Sequence, residues 1–225
     1  MVLAAGGDHV ATDTRRALEE LIQAYWFPLY AYIRRQGRSS AQAEDLVQGF
    51  LTRLLEKKDL ARVDRAKGRL RSFLLASLKH FLANEYDKRR TLKRGGGVLV
   101  ISLDALDAEA RYAIEPADDM TPDRLFDRRW ALAVLDKVLS RLRQEYANAG
   151  KAALFETIKD CLTPHRGRLS YAQLAQRLGM TQGALKVAVH RMRRRYRDLL
   201  RDEIAQTVDS PLQVEEEIAH LLNCL

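Results

Sequence analysis

"SYAQLAQRLGMTQGALKVAVHRMRRRY", from Ser170 to Tyr196, decides how this chain is read. Ser170 followed three residues later by Gln173 is a capping box, in which each side chain satisfies a backbone donor that a helix start leaves unpaired. Tyr171, Leu174, Ala175 and Leu178 then share one face of a short helix, and Gly179 supplies the left-handed conformation that ends it. Thr181 caps a second helix, on which Leu185, Ala188, Val189 and Met192 share one face. Lys186, His190 and Arg193 form an outward stripe, with Val187, Arg191 and Arg194 beside it. A helix-turn-helix that enters the major groove needs this separation of an apolar inner face from a basic outer one. Arg and Lys can then reach phosphates or guanine edges. A structural hairpin with a solvated charged end has the same pattern, and the segment by itself leaves both open.

The bulk properties narrow the setting. With 225 residues and 47% apolar composition, the chain is long enough for one large domain or two small ones, each with a core. Only 12 Gly and 5 Pro interrupt it, which favours helices. Lys and Arg outnumber Asp and Glu by 38 to 30, a net charge of +8 that suits a nucleic-acid partner. Cys161 and Cys224 lie far apart and show no metal-ligand spacing, so they read as ordinary reduced thiols with no metal or cofactor expected. The five histidines (His9, His80, His165, His190, His220) show no ligand spacing either, and no Ser/His/Asp or paired-carboxylate setting suggests an enzyme or a small-molecule substrate. The start MVLAAGGDHV carries no basic leader, and no run approaches the ~18 apolar residues of a membrane span. The expected location is cytoplasmic, without a membrane partner.

Outward from the opening stretch, the fold class reads as all-α, two small helical domains joined by a flexible acidic linker. Residues 1–14 read as a disordered N-terminus. A helix follows with Leu18, Leu21, Ile22, Tyr25, Leu29 and Ile33 at helical spacing, its aromatics (Tyr25, Trp26, Phe27, Tyr30, Tyr32) read as core rather than base-stacking platforms. Gly37 ends it, and Ser40 is read as the cap of the next helix, with Leu46, Val47, Phe50, Leu51, Leu54 and Leu55. A basic loop leads to a helix from Ser72 to Arg90, with Phe73 and Phe81 read as core. Gly95–Gly97 is no phosphate loop, lacking Gly-Lys-Ser/Thr and an ensuing helix, and reads as a joint. Residues 95–123 hold Asp104, Asp107, Glu109, Glu115, Asp118, Asp119 and Asp123 against the single base Arg111, the acidic linker. A second helical domain spans 124–208, with helices from about Pro122 to Ala149 and from about Lys151 to Leu162 before the opening stretch. In the tail, 209–225, Val214, Ile218, Leu221 and Leu222 share one face of a short amphipathic helix.

The first half carries a second motif. "AEDLVQGFLTRLLE" (Ala43–Glu56) followed by "GRLRSFLLASLKHFLANEYDKRR" (Gly68–Arg90) resembles the promoter-melting domain of bacterial extracytoplasmic-function sigma factors. "YAQLAQRLGMTQGAL" and "HRMRRR" resemble the second conserved domain of the same family, in the family's order and with an acidic linker between. The resemblance covers residues 15–94 and 125–205 and leaves the tail aside. It implies a protein that binds core RNA polymerase and directs initiation at chosen promoters. Asp45 and Gln48, at i and i+3 on one helix face, would dock on the polymerase clamp helices. Arg65, Lys67, Arg69, Arg71, His80, Asn84 and Lys88 would open the −10 element and hold an unstacked base. Thr181, Lys186, Val187, His190, Arg191 and Arg194 would read the −35 element. The linker would thread toward the RNA exit path, and an inhibitory anti-sigma protein would be a further partner. Gly49 stands where relatives often carry a larger residue, and His80 where Asn is expected. A helix-turn-helix regulator acting without polymerase would leave Ala43–Glu56 and the linker unexplained, and an interaction adaptor whose basic face binds an acidic protein would be separated by a gel shift with promoter DNA and core polymerase.

Overall fold

The computed structural model describes residues 23–56, 69–91, 105–113, 120–162 and 169–225. Side chains at 55–56, 87–91 and 105–107 are outside that description, as are the expected disordered start at 1–14, the basic loop with Arg65 and Lys67, and the joint at Gly95–Gly97. The described residues are all helical, with no strand among them. Helix α1 covers residues 23–35. Then come α2 (Ser40–Glu56), α3 (Leu70–Thr91), α4 (Ala105–Ala113) and α5 (Pro122–Asn148). After α6 (Ala152–Ile158) and a 3-10 turn (Lys159–Leu162) come α7 (Tyr171–Arg177), α8 (Gln182–Ala205) and α9 (Pro211–Asn223). None of these helices is long and apolar enough to cross a membrane.

The chain divides into two compact units. The first holds Met1–Ala133, Thr207–Asp209 and Ala219–Leu225. Its core is built around α1, whose Tyr25, Trp26, Phe27, Leu29, Tyr30, Ala31, Tyr32 and Ile33 are all buried. A helix apolar on every side must be enclosed on every side. Leu46, Val47, Phe50, Leu51 and Leu54 of α2, with Leu74, Leu78 and Phe81 of α3, are buried in the same unit. Phe50 and Phe81 meet with ring centroids 5.7 Å apart. Trp26 stacks on Tyr30 at 5.3 Å, so the aromatics of α1 are packed against one another as core.

Two boundaries differ from the sequence reading. Gly37 does end α1, at φ +83, but the cap of α2 is Ser39. Its hydroxyl accepts from the Gln42 amide at 3.3 Å while its own amide donates to Gln42 Oε1 at 3.2 Å. Ser40 is left to donate to Glu44 at 2.9 Å and to meet the Tyr30 hydroxyl at 3.0 Å. The larger difference lies in the stretch read as a flexible acidic linker, where α4 is helical. Glu109 of α4 takes two donors from Arg34 and one from Tyr30. Tyr112 stands edge-on to Tyr30, and Arg111 lies 4.2 Å over the Phe27 ring. The start of α5 also belongs to this first unit: Leu125, Phe126 and Trp130 are buried, and the Trp130 indole donates to the Tyr25 hydroxyl at 3.1 Å. The division accordingly falls after Ala133, inside α5, rather than in the acidic stretch.

The second unit holds Val134–Gln206 and Ser210–Ile218. Its core joins Val138 and Leu142 of α5, Phe155 and Ile158 of α6, Cys161, Leu174 and Ala175 of α7, and Leu185, Val189, Met192, Leu199, Leu200 and Ile204 of α8. Of α9, Val214 is buried in this unit, while Leu221 and Leu222 fall in the first unit, Leu221 buried and Leu222 exposed. Glu217 of the second unit is buried as well.

Candidate nucleic-acid interface

The hairpin of the second unit is fixed at both of its corners. Ser170 Oγ accepts from the Gln173 amide at 3.3 Å, and the Ser170 amide donates to Gln173 Oε1 at 2.8 Å. This is the capping box expected from the sequence. After α7, Gly179 takes φ +60, and the Met180 amide donates to the Ala175 carbonyl at 3.0 Å. A side chain at that φ would be strained, which is why glycine stands there. Thr181 Oγ1 then accepts from the Ala184 amide at 3.2 Å and starts α8.

Along α8 the two faces separate as expected. Leu185, Val189 and Met192 are buried, with at most 2% of their surface exposed. Lys186, Val187, His190, Arg191 and Arg194 are all exposed, as is Thr181 at the start. Val187 is half exposed at 50% and gives this basic face one apolar spot, suited to a thymine methyl.

The basic run is not uniform. Arg193, placed by periodicity on the outward stripe, donates through Nε to the Cys161 carbonyl at 2.8 Å and so closes the 3-10 turn. Arg195 grips Glu145 of α5 through both ends of its guanidinium, at 2.8 and 2.7 Å. That contact holds the Glu145 carboxyl below its usual range and raises Arg195. Burial, with Asp136 nearby, pushes the hydroxyl of the half-buried Tyr196 up to about 12. Arg193 and Arg195 therefore stabilise the helix that Arg191 and Arg194 extend from. No local sequence signal separates the two pairs, because Cys161 and Glu145 lie far along the chain.

In the first unit, Asp45 of α2 is exposed and Gln48 half-buried on the same face. A Cβ added at the neighbouring Gly49 would meet the Phe81 ring at 3.4 Å, an ordinary contact. On α3, His80 and Asn84 are exposed at i and i+4, and Arg69 is half-buried just before the helix. The Lys88 side chain, like Arg65 and Lys67, is outside the described residues.

Arg71 departs from the expectation. It sits in the first turn of α3, 7% exposed, ion-paired with Asp127 and lying 5.0 Å over the Trp130 ring. Its charge is paired inside the unit, whereas the sequence reading directs it toward nucleic acid. Lys79 is likewise paired, with Asp123.

No protein-family model, no curated protein and no solved structure matches this chain.

Proposed function

We propose that this chain is an alternative sigma factor of the extracytoplasmic-function kind. In this reading it binds core RNA polymerase in the cytoplasm and directs initiation at selected promoters without catalysing a reaction itself. The observation that carries the reading is the outward face of α8: Lys186, His190, Arg191 and Arg194 stand exposed behind a capped two-helix corner. As a recognition helix in a helix-turn-helix, α8 would lie in the major groove of the −35 element, with Arg191 at a base edge and Arg194 on a phosphate. The resemblance in Ala43–Glu56 and Gly68–Arg90 distinguishes this reading from a simple repressor. Asp45 and Gln48 would dock on core polymerase. His80 and Asn84 would hold a base extruded from the −10 element, and Arg69 would hold a phosphate. An inhibitory protein covering these faces would complete the regulation.

Gel filtration of the purified chain with bacterial core polymerase tests the docking. The expected result is co-elution that the double change Asp45→Arg, Gln48→Ala weakens at least several-fold with the helical content unchanged. Absence of co-elution by the unaltered chain, with promoter DNA still bound, would favour a regulator that acts without polymerase.

A further inference from the structure

Asp127, His220 and Cys224 bring a carboxylate, an imidazole and a thiol together within the first unit. His220 Nε2 lies 3.5 Å from Asp127 Oδ2 and 3.3 Å from Cys224 Sγ, and all three residues are half-buried. The three candidate donor atoms lie within 4.8 Å of one another. His220 occupies the last turn of α9 and Cys224 follows four residues on, just past the end of the helix, where its side chain meets the His220 ring.

A purely hydrogen-bonded arrangement would share one Nε2–H between Asp127 Oδ2 at 3.5 Å and Cys224 Sγ at 3.3 Å. One ring nitrogen either donates or accepts in a given tautomer. Here the same Nε2 faces both a carboxylate and a sulfur. A metal ion held by the three donors fits the same geometry. Tetrahedral zinc, with bonds of about 2.3 Å to sulfur and about 2.0–2.1 Å to nitrogen and oxygen, sets ligand–ligand separations of about 3.3–3.6 Å. The two observed separations, 3.5 Å for N–O and 3.3 Å for N–S, lie within about 0.3 Å of those edges, and all three donor atoms fall within 4.8 Å of one another. The second oxygen of Asp127 is held by Arg71, the kind of outer contact that orients a ligating carboxylate. The ring of Trp130, 6.3 Å from that of His220, forms one wall.

We propose that Asp127 Oδ2, His220 Nε2 and Cys224 Sγ form a zinc site. The mixed O, N and S donor set suits Zn2+. Three protein ligands leave the fourth position to water. The ion would tie the end of α9 to the first turns of α5 and bind with release of the Cys224 thiol proton. Sequence spacing alone does not reveal the site, because two donors sit at the C-terminus and the third on a helix far earlier in the chain. The inference stands apart from the sigma-factor reading.

The test uses the full chain, freed of metal and kept reduced with a phosphine. Titration with Zn2+ is expected to give one equivalent bound per chain and a rise in melting temperature. Co2+ as a probe is expected to give the near-ultraviolet charge-transfer band of a thiolate ligand. His220→Gln and Cys224→Ser, both at half-exposed positions, are each expected to weaken zinc binding more than about ten-fold. Cys224→Ser should also remove the cobalt band and the zinc-dependent rise in melting temperature. Cys161→Ser is expected to change none of these. The proposal is overturned if the reduced chain binds no zinc, if binding survives both His220→Gln and Cys224→Ser, or if Cys161→Ser abolishes it equally.

Discussion

Arg34 and Glu109 form a two-point contact, Nη2 to Oε1 at 2.6 Å and Nε to Oε2 at 3.0 Å, that fixes α4 on α1. Glu109 also accepts from the Tyr30 hydroxyl, whose pKa is raised by burial first and by that carboxylate second. The Arg34 guanidinium, and after it Tyr30, hold the Glu109 carboxyl below its usual range. A carboxyl lowered by folding adds stability that is fully present above its unfolded pKa, about 4.3, and is lost as pH falls through the lower folded value. Because the Glu109 side chain is 40% exposed, solvent screens the contact, and about 0.5–1 kcal/mol is expected of it. Glu109→Gln should thus lower stability at pH 7, and the difference from the unaltered chain should shrink as pH drops below about 4. Urea melts of both chains between pH 7 and 3 measure this. A difference that stays constant with pH would show that the contact is not ionic in its effect.

The corner before α8 depends on Ser170. Ser170→Ala removes the hydroxyl that the Gln173 amide uses and is expected to cost about 1 kcal/mol in a urea melt. A Ser170→Gly change should cost only a few tenths of a kcal/mol. Equal losses would mean that Gln173 caps the helix without its partner.

The buried pair of Arg71 and Asp127 separates two accounts of Arg71. Replacing Arg71 by Met removes the guanidinium from the mostly buried Asp127 carboxylate, beside which His220 remains, and is expected to destabilise the chain by about 3 kcal/mol. As a nucleic-acid contact, Arg71 would show no such loss and would instead reduce the salt dependence of DNA binding. Thermal melts and salt titrations of the same variant tell the two apart.

Much of the architecture is legible in the sequence, and what is not has a common cause. The capping box at Ser170 and Gln173, the left-handed turns at Gly37 and Gly179, and the Thr181 cap are local, and each stands where its residue types place it. The buried Leu185, Val189 and Met192 follow from helical spacing. Long-range pairing leaves no such trace. Glu109 reads as one more acid in a charged stretch until Arg34, 75 residues away, is found beside it. Arg71 reads as part of a basic loop until Asp127 is found opposite. The Trp130 indole meets Tyr25 across 105 residues, which moves the start of α5 into the first unit. Charge in a sequence shows what a residue can pair with, and only the fold shows whether the partner is a carboxylate of the same chain.

That distinction bears on the arginines of α8. Arg191→Ala is expected to weaken promoter DNA binding by about 1–3 kcal/mol and relax preference at one position. Arg194→Ala should weaken all sequences alike and lower the slope of log K against log salt by about one. Arg195→Ala, which breaks the contact to Glu145, should leave that slope unchanged and cost about 0.5–1 kcal/mol of stability. Fluorescence anisotropy over a salt series distinguishes the three, and identical slopes throughout would remove α8 from the DNA interface.

The central claim is that the chain confers promoter choice on RNA polymerase. Run-off transcription with purified bacterial core polymerase over a promoter library measures it directly. The account predicts discrete transcripts that require the chain, share a −35 and a −10 element upstream, and fade with Asp45→Arg, Gln48→Ala. Transcription that is no more specific with the folded chain than with core polymerase alone would contradict it.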